Sequence, residues 1–257
     1  MTVVPGLVSV TFRRLGVADI VPLVARAGLR AIEWGGDVHV PDAAAARDAA
    51  ARCADAGVGI AAYGSYYRCD GSGFDDVLRT VVALGAPRVR VWAGRRGSAV
   101  EPDRAAVVAD LARVAALAAG EGVEVCVEYH ANTLTDTLGS TVDLLAAVPA
   151  VRPYWQPPIG DRPASALAAV EALAPVTAHV FTWDDTGARR RLAAGEALWR
   201  PVLAALPADG HALLEFVRDD DPAAFAEDAA TLLGWLSAGP PAGRPAGRSR
   251  PTAGRSG

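Results

Sequence analysis

Lysine is absent from all 257 residues of the chain. Enzymes that form a Schiff base with a carbonyl substrate, or that anchor pyridoxal phosphate, need a lysine amine. Neither class is open here. Cysteine is scarce as well: Cys53, Cys69 and Cys126 are odd in number and show no CxxC spacing, so neither a disulfide framework nor a zinc knuckle is suggested. The three are expected to be reduced, with Cys126 in the core. Also missing is any unbroken run of the roughly 18 to 20 apolar residues that a membrane span needs, and no early segment joins basic residues to a long apolar stretch. A cytoplasmic location without membrane contact is the expectation.

Positive charge is short too. The formal net charge is -4, and the last stretch, 237–257, carries Arg244, Arg248, Arg250 and Arg255 and no acid. Setting those four arginines aside leaves the body at about -8, which disfavours a phosphate backbone as partner. The stretch itself is Gly, Pro, Ser and Arg with almost no large apolar residue, so it reads as a disordered, solvated tail. Residues 1–236 are expected to form one domain.

What is present is a hydrophobic fraction of 51% against 21% charged, enough for a sizeable core. Short β-rich runs recur with Ala- and Leu-rich helical patterns between them, which argues for parallel strands joined by helical crossovers. The strand candidates are "LVSVTF" from Leu7, "RAIEW" from Arg30, "VGIAAY" from Val58, "RVRVW" from Arg88, "VEVCVE" from Val123, "VRPYW" from Val151, "VTAHVF" from Val176 and "HALLEF" from His211. Helix signals fill the intervals: Pro41 and Asp42 precede an alanine-rich run that stops at Gly57, and Asp221 precedes Pro222. Eight units of about thirty residues predict a single (β/α)8 TIM barrel.

Strand alternation then selects the inward side chains. Val123, Val125 and Val127 face helices, so Glu124, Cys126 and Glu128 face the barrel axis. By the same parity the inward sets are Arg88, Arg90 and Trp92; Arg152, Tyr154 and Gln156; Thr177, His179 and Phe181; and His211, Leu213 and Glu215. Polar groups thereby meet at the carboxyl ends of the strands, where barrels of this kind place their active sites.

Glu128, Gln156, His179 and Glu215 come from four successive strands and form a mixed oxygen and nitrogen set suited to one divalent ion, whether Mn, Mg, Co, Fe or Zn. A separate ion-paired rim residue is the alternative reading of each, and it weakens when four stand at matching strand ends. His211 opens its strand at the opposite end and reads as structural. Around the mouth, Glu33, His39, Tyr63, Arg90, Trp92, His130 and Trp183 are candidates for substrate contact. Arg90 has the alternative of pairing with Glu128 or Glu33.

The segments "AGLRAIEWGGDVHVP", "ALGAPRVRVWAG", "VEYHANTLTDT" and "LAAGEALWRPVLAAL" resemble recurring segments of the xylose isomerase-like TIM barrels (AP endonuclease family 2, the sugar phosphate isomerase and epimerase superfamily), over roughly residues 3–236. The resemblance implies that a glutamate, an aspartate, a histidine and a glutamate on the fifth to eighth strands hold a divalent metal. Glu128, His179 and Glu215 match, whereas Gln156 stands where the aspartate is usual; the site so loses one negative charge, which weakens metal binding and leaves a bound metal more Lewis acidic. The implied activity is metal-dependent isomerisation or epimerisation of a small sugar, sugar phosphate or polyol. One of Glu128 and Glu215 would take the proton beside a carbonyl and the other return it through an enediolate, and the sequence alone does not say which does which.

Two alternatives stay open: a keto-polyol dehydratase with His39 or His130 as acid, and a non-catalytic sugar-binding barrel with a decayed metal site. Abasic-site cleavage is not expected of a chain with four histidines and an acidic body. The expected partner is thus a small-molecule sugar, with no nucleic acid and no membrane, and nothing in the residues sets an oligomeric state.

Overall fold

The structure, a computed structural model, describes residues 3–238. Its strands are β1 (Val4–Val8), β2 (Ala31–Gly35), β3 (Gly59–Gly64), β4 (Arg88–Val91), β5 (Glu124–Glu128), β6 (Arg152–Trp155), β7 (Thr177–Val180) and β8 (His211–Leu214). All pair in parallel, in chain order, and β1 closes the barrel onto β8. Between and after them run α1 (Val17–Arg26), α2 (Ala43–Ala56), α3 (Phe74–Leu84), α4 (Arg104–Gly120), α5 (Leu138–Ala147), α6 (Pro163–Leu173), α7 (Glu196–Ala205) and α8 (Pro222–Ser237). The (β/α)8 expectation is met. Among the described residues no helix is long and apolar enough to cross a membrane.

Local signals set the helix ends. The Asp42 carboxylate accepts the N–H groups of Ala44 and Ala45, which α2 itself leaves unpaired, and Gly57 ends that helix at φ 66°. Asp221 caps α8 in the same way, ahead of Pro222. That helix runs through Ser237, the first residue of the expected tail; the tail from residue 239 onward lies outside the described residues.

One strand is displaced from its expected place. β1 spans Val4–Val8, and the "SVTF" half of the candidate forms a single 3-10 turn over Ser9–Phe12. The Ser9 hydroxyl accepts the Gly35 N–H at 2.9 Å. A side-chain acceptor thus stands where the strand ladder would continue.

The main apolar core lies between sheet and helices, where Val125 and Val127 meet residues such as Leu111, Val114 and Leu144. The inward faces form separate layers. Ala62, Cys126 and Tyr154 cluster in one, and Val8, Ala31, Ala61 and Leu213 in another. All three cysteines are free and buried. At the amino-terminal end of the barrel Arg88 donates to Glu124 at 2.9 Å and stands 3.2 Å from His211 Nδ1, the structural role foreseen for that histidine.

Burial first, and the Arg88 charge second, push His211 down from 6.5 to about 4. An unfolded chain therefore binds a proton between pH 6.5 and 4 that the folded chain refuses. Stability from this site is full above pH 6.5 and is lost as the pH falls towards 4. His211→Gln is expected to flatten that limb of a plot of Tm against pH; an unaltered limb would assign the acid sensitivity to other groups.

Candidate active site

Six charged or polar side chains from six strands meet at the carboxyl end of the barrel. Glu33 comes from β2, Arg90 from β4 and Glu128 from the last position of β5. His179 comes from β7, while Gln156 and Glu215 stand one residue beyond β6 and β8. The regular alternation of parallel strands aims each of them at the axis. Glu33, Arg90, Glu128, His179 and Glu215 are all at most 6% exposed, so their charges must be compensated from within the cluster.

Arg90 supplies most of the compensation. Its Nε donates to Glu33 Oε1 at 2.8 Å, and its Nη1 donates to Glu128 Oε2. The indole Nε1 of Trp92 donates to the same Glu128 oxygen, and Gln156 Nε2 donates to Glu128 Oε1 at 3.0 Å. Glu128 thus has both oxygens engaged. Burial opposes charge on Arg90, but Glu128 and Glu33 outweigh it and hold the guanidinium above its ordinary value. Burial likewise opposes charge on Glu33, and Arg90 with His179 overcomes it, holding the carboxyl down at about 2.

His179 sits among three carboxylates. Its Nε2 is 3.4 Å from Glu33 Oε2, and its Nδ1 is 3.4 Å from Glu215 Oε2 and 3.8 Å from Glu128 Oε1. Burial disfavours the imidazolium, yet the charges of Glu215 and Glu33 prevail and push His179 up to about 10. Neither His179 Nδ1 nor Glu215 Oε2 has a hydrogen-bond partner among the described residues, although both atoms are buried. They face one another.

Above the cluster opens a cleft of about 560 Å3. Arg90, Glu128, Gln156 and Glu215 form its floor, and Trp92, His130 and Trp183 are in its walls. Trp92 has little free face to offer, because the Arg68 guanidinium lies 3.6 Å over its ring and His130 stacks on it at 4.6 Å. Three other expected contacts are placed elsewhere. Glu33 is fully buried beneath the floor and spends its oxygens on Arg90 and His179. His39 is fastened to Ser9 and to the carbonyls of Phe12 and Leu15. Tyr63 donates to the Val40 carbonyl and lines a different cavity, between the segment after β2 and α3. In each case a nearby backbone or buried partner captured a group that lies near a strand end.

The structure adds cleft residues that the strand pattern passed over. One is Phe216, which joins the expected Phe181 and Trp183 in an aromatic cluster with centroids 5.0 to 5.2 Å apart. Alternation along β8 sends Phe216 outward with Leu214, but the strand ends at Leu214 and Phe216 adopts φ 49°, which brings it to the cleft. Arg189 reaches the cleft too, paired with Asp220 at 2.5 Å, while its neighbours Arg190 and Arg191 pair with Asp184 and Glu227. Gly64 serves the floor by having no side chain. A Cβ there would stand 2.7 Å from Arg90 Nη2 and 2.8 Å from Glu33 Oε1.

Among the described residues no group of three or more His, Cys, Asp and Glu side chains is gathered as a metal site. The physical reason is visible at Glu128, whose Oε2 is turned to Arg90 and Trp92. The donor set nevertheless fits a cation. Three buried carboxylates face one guanidinium and one imidazolium, a deficit of one positive charge, and His179 Nδ1 and Glu215 Oε2, 3.4 Å apart, make no hydrogen bond. Gln156 presents its nitrogen to Glu128 in this arrangement, so ligation by its oxygen requires the amide to turn.

No curated protein is significantly similar to this chain in sequence. Solved structures with the same fold include the probable 3-DHS dehydratase AsbF from Bacillus anthracis, at a TM-score of 0.77 and 19% identity over 90% of this chain and 98% of that one. D-psicose 3-epimerase from Clostridium cellulolyticum H10, solved with D-tagatose, has a TM-score of 0.66 and 16% identity over 93% and 99%. A xylose isomerase-like TIM barrel protein from Mycobacterium smegmatis, in complex with magnesium, has a TM-score of 0.65 and 18% identity over 92% and 97%. The sequence model of one family matches residues 21–234, nearly the whole of the barrel described above, and the chain belongs to that family, the xylose isomerase-like TIM barrels.

Proposed function

We propose that this protein is a divalent-metal-dependent isomerase or epimerase of a small sugar, sugar phosphate or polyol. The observation that carries the proposal is the buried pair His179 Nδ1 and Glu215 Oε2, 3.4 Å apart and without a hydrogen bond, in a cluster one positive charge short. His179, Glu215, the Oε1 atom of Glu128 and, after its amide turns, Gln156 would hold the ion. When bound, it would draw electron density from two adjacent substrate oxygens and lower the cost of removing the proton beside the carbonyl.

The residues divide the remaining work. Glu128 is fixed at Oε2 by Arg90 and Trp92, which leaves Oε1 for the ion once Gln156 turns, and it serves as a fixed negative wall of the site. Glu215, at the cleft floor, would give one oxygen to the ion and with the other is the group that takes the proton and returns it. Trp183, Phe181 and Phe216 offer a flat apolar wall to the C–H face of the substrate.

A second reading draws on His130, a cleft residue beside Trp92, and on the likeness in fold to a dehydratase. Loss of a hydroxyl after the same proton abstraction needs an acid, and His130 stands where it can serve; His39 does not. Product mass separates the two, since a lyase releases water and an isomerase does not.

Titration of metal-stripped protein with Mn2+ by calorimetry, with Gln156→Asp alongside, tests the proposal. One-to-one binding by the native protein, tightened at least several-fold by the added carboxylate, is expected. Binding that appears only in Gln156→Asp would sink the metalloenzyme reading and leave a non-catalytic sugar-binding barrel.

A further inference from the structure

Glu33 lies beneath the cleft with His179 and is completely buried. Its two oxygens face different partners: Oε1 accepts from Arg90 Nε at 2.8 Å, and Oε2 stands 3.4 Å from His179 Nε2. Each partner carries one half of the site. Arg90 holds Glu128 Oε2, and His179 turns its other ring nitrogen, Nδ1, toward Glu215 Oε2 and Glu128 Oε1. The close passage of Gly64 leaves room for this arrangement, since a Cβ there would crowd both Glu33 Oε1 and the Arg90 guanidinium.

We infer that Glu33 is a positioning residue that orients His179 and Arg90 together, and through them the metal-ligand face of the site. A histidine that ligates through one nitrogen commonly gives the N–H of the other to a carboxylate, which fixes the ring orientation and raises the basicity of the ligand nitrogen. Glu33 occupies that place for Nε2 and so turns Nδ1 toward Glu215 and Glu128, where an ion would displace its proton. The same carboxylate anchors the guanidinium that fixes Glu128, so the two ends of the ligand set depend on one buried group from a distant strand. This role rests on the metal-dependent reading given above.

The test compares native protein, Glu33→Gln and Glu33→Asp. Mn2+ affinity is read by calorimetry well below each Tm, folding by circular dichroism, and the imidazole 15N shifts of His179 in the Mg2+-loaded form. Glutamine at this position has one acceptor oxygen for two donors and no charge. Aspartate keeps the charge but falls short of one partner. Glu33→Gln is expected to bind Mn2+ about 10- to 100-fold more weakly than native, with altered His179 shifts. Glu33→Asp, which preserves the charge balance and should fold, is expected to fall between. Native binding with both variants unchanged overturns the role of Glu33 alone. Native protein that binds no Mn2+ overturns the metal reading, and the role of Glu33 with it.

Discussion

The Glu215→Gln variant is expected to lose about one hundred- to ten-thousand-fold in kcat, the usual contribution of a positioned acid or base. It is expected to fold as the native protein does. The expectation follows from a difference between two glutamates that look equivalent in sequence. Glu128 receives Arg90, Trp92 and Gln156, whereas Glu215 Oε2, buried at the cleft floor, makes no hydrogen bond and has the 3.4 Å ion pair with His179 Nδ1. Three donors already occupy the lone pairs of Glu128 that a substrate proton would need, whereas no hydrogen bond is made to Glu215 Oε2. Exchange of the substrate C–H proton with D2O is the readout, because it reports the abstraction step whether or not product forms. Exchange at the native rate in Glu215→Gln would remove Glu215 from the chemistry and transfer the role to Glu128. A parallel Mn2+ titration separates a lost base from a lost ligand.

Arg90→Met is expected to give the largest loss of stability of any single change at the site. Removing one partner of a buried ion pair leaves an uncompensated charge and costs about 3 to 5 kcal/mol; for a domain of this size that is a fall in Tm of roughly 6 to 20 °C. Here two carboxylates, Glu33 and Glu128, are left at once. The pH dependence supplies an internal check. Glu33 is held down from 4.5 to about 2, so the stability its ionisation contributes is present above pH 4.5 and is lost as the pH falls through 2. The gap in Tm between native and Arg90→Met should therefore narrow as the pH is lowered below 4.5. Adding Glu33→Gln to Arg90→Met should restore part of the loss, because the buried charge is then gone. A variant that melts within about 2 °C of native at neutral pH would show that water reaches and solvates the cluster.

Much of the site was legible because strand alternation is a strict rule with a period of two. Once β5 is recognised from its valines, Glu128 has to face the axis, and the same reasoning places Arg90, Gln156, His179 and Glu215. Where the rule failed, the chain had left strand geometry. Phe216 follows the end of β8 in a left-handed conformation, and Ser9 turns β1 into a 3-10 segment. Neither event has a signature in residue spacing.

The partners of each side chain were a different matter. Glu33, His39 and Tyr63 lie at or just beyond strand ends and are reasonable contacts for a substrate on that ground. Which of them reaches the cleft depends on acceptors that arrive from elsewhere: the guanidinium of Arg90, the Ser9 hydroxyl, the carbonyls of Phe12, Leu15 and Val40. A linear pattern does not contain these approaches.

The sequence by itself determined the barrel, its helix caps and the set of side chains that point to the axis, because each rests on periodicity or on contacts within a few residues. Only the tertiary structure decided that Arg90 spans Glu33 and Glu128, that Glu215 faces the His179 ring, and that Glu33 lies under the site. Those facts are set by the stagger of strands around a closed sheet, which brings residues 57 to 146 positions apart into contact. Low polarity around them then forces each buried charge to find a partner.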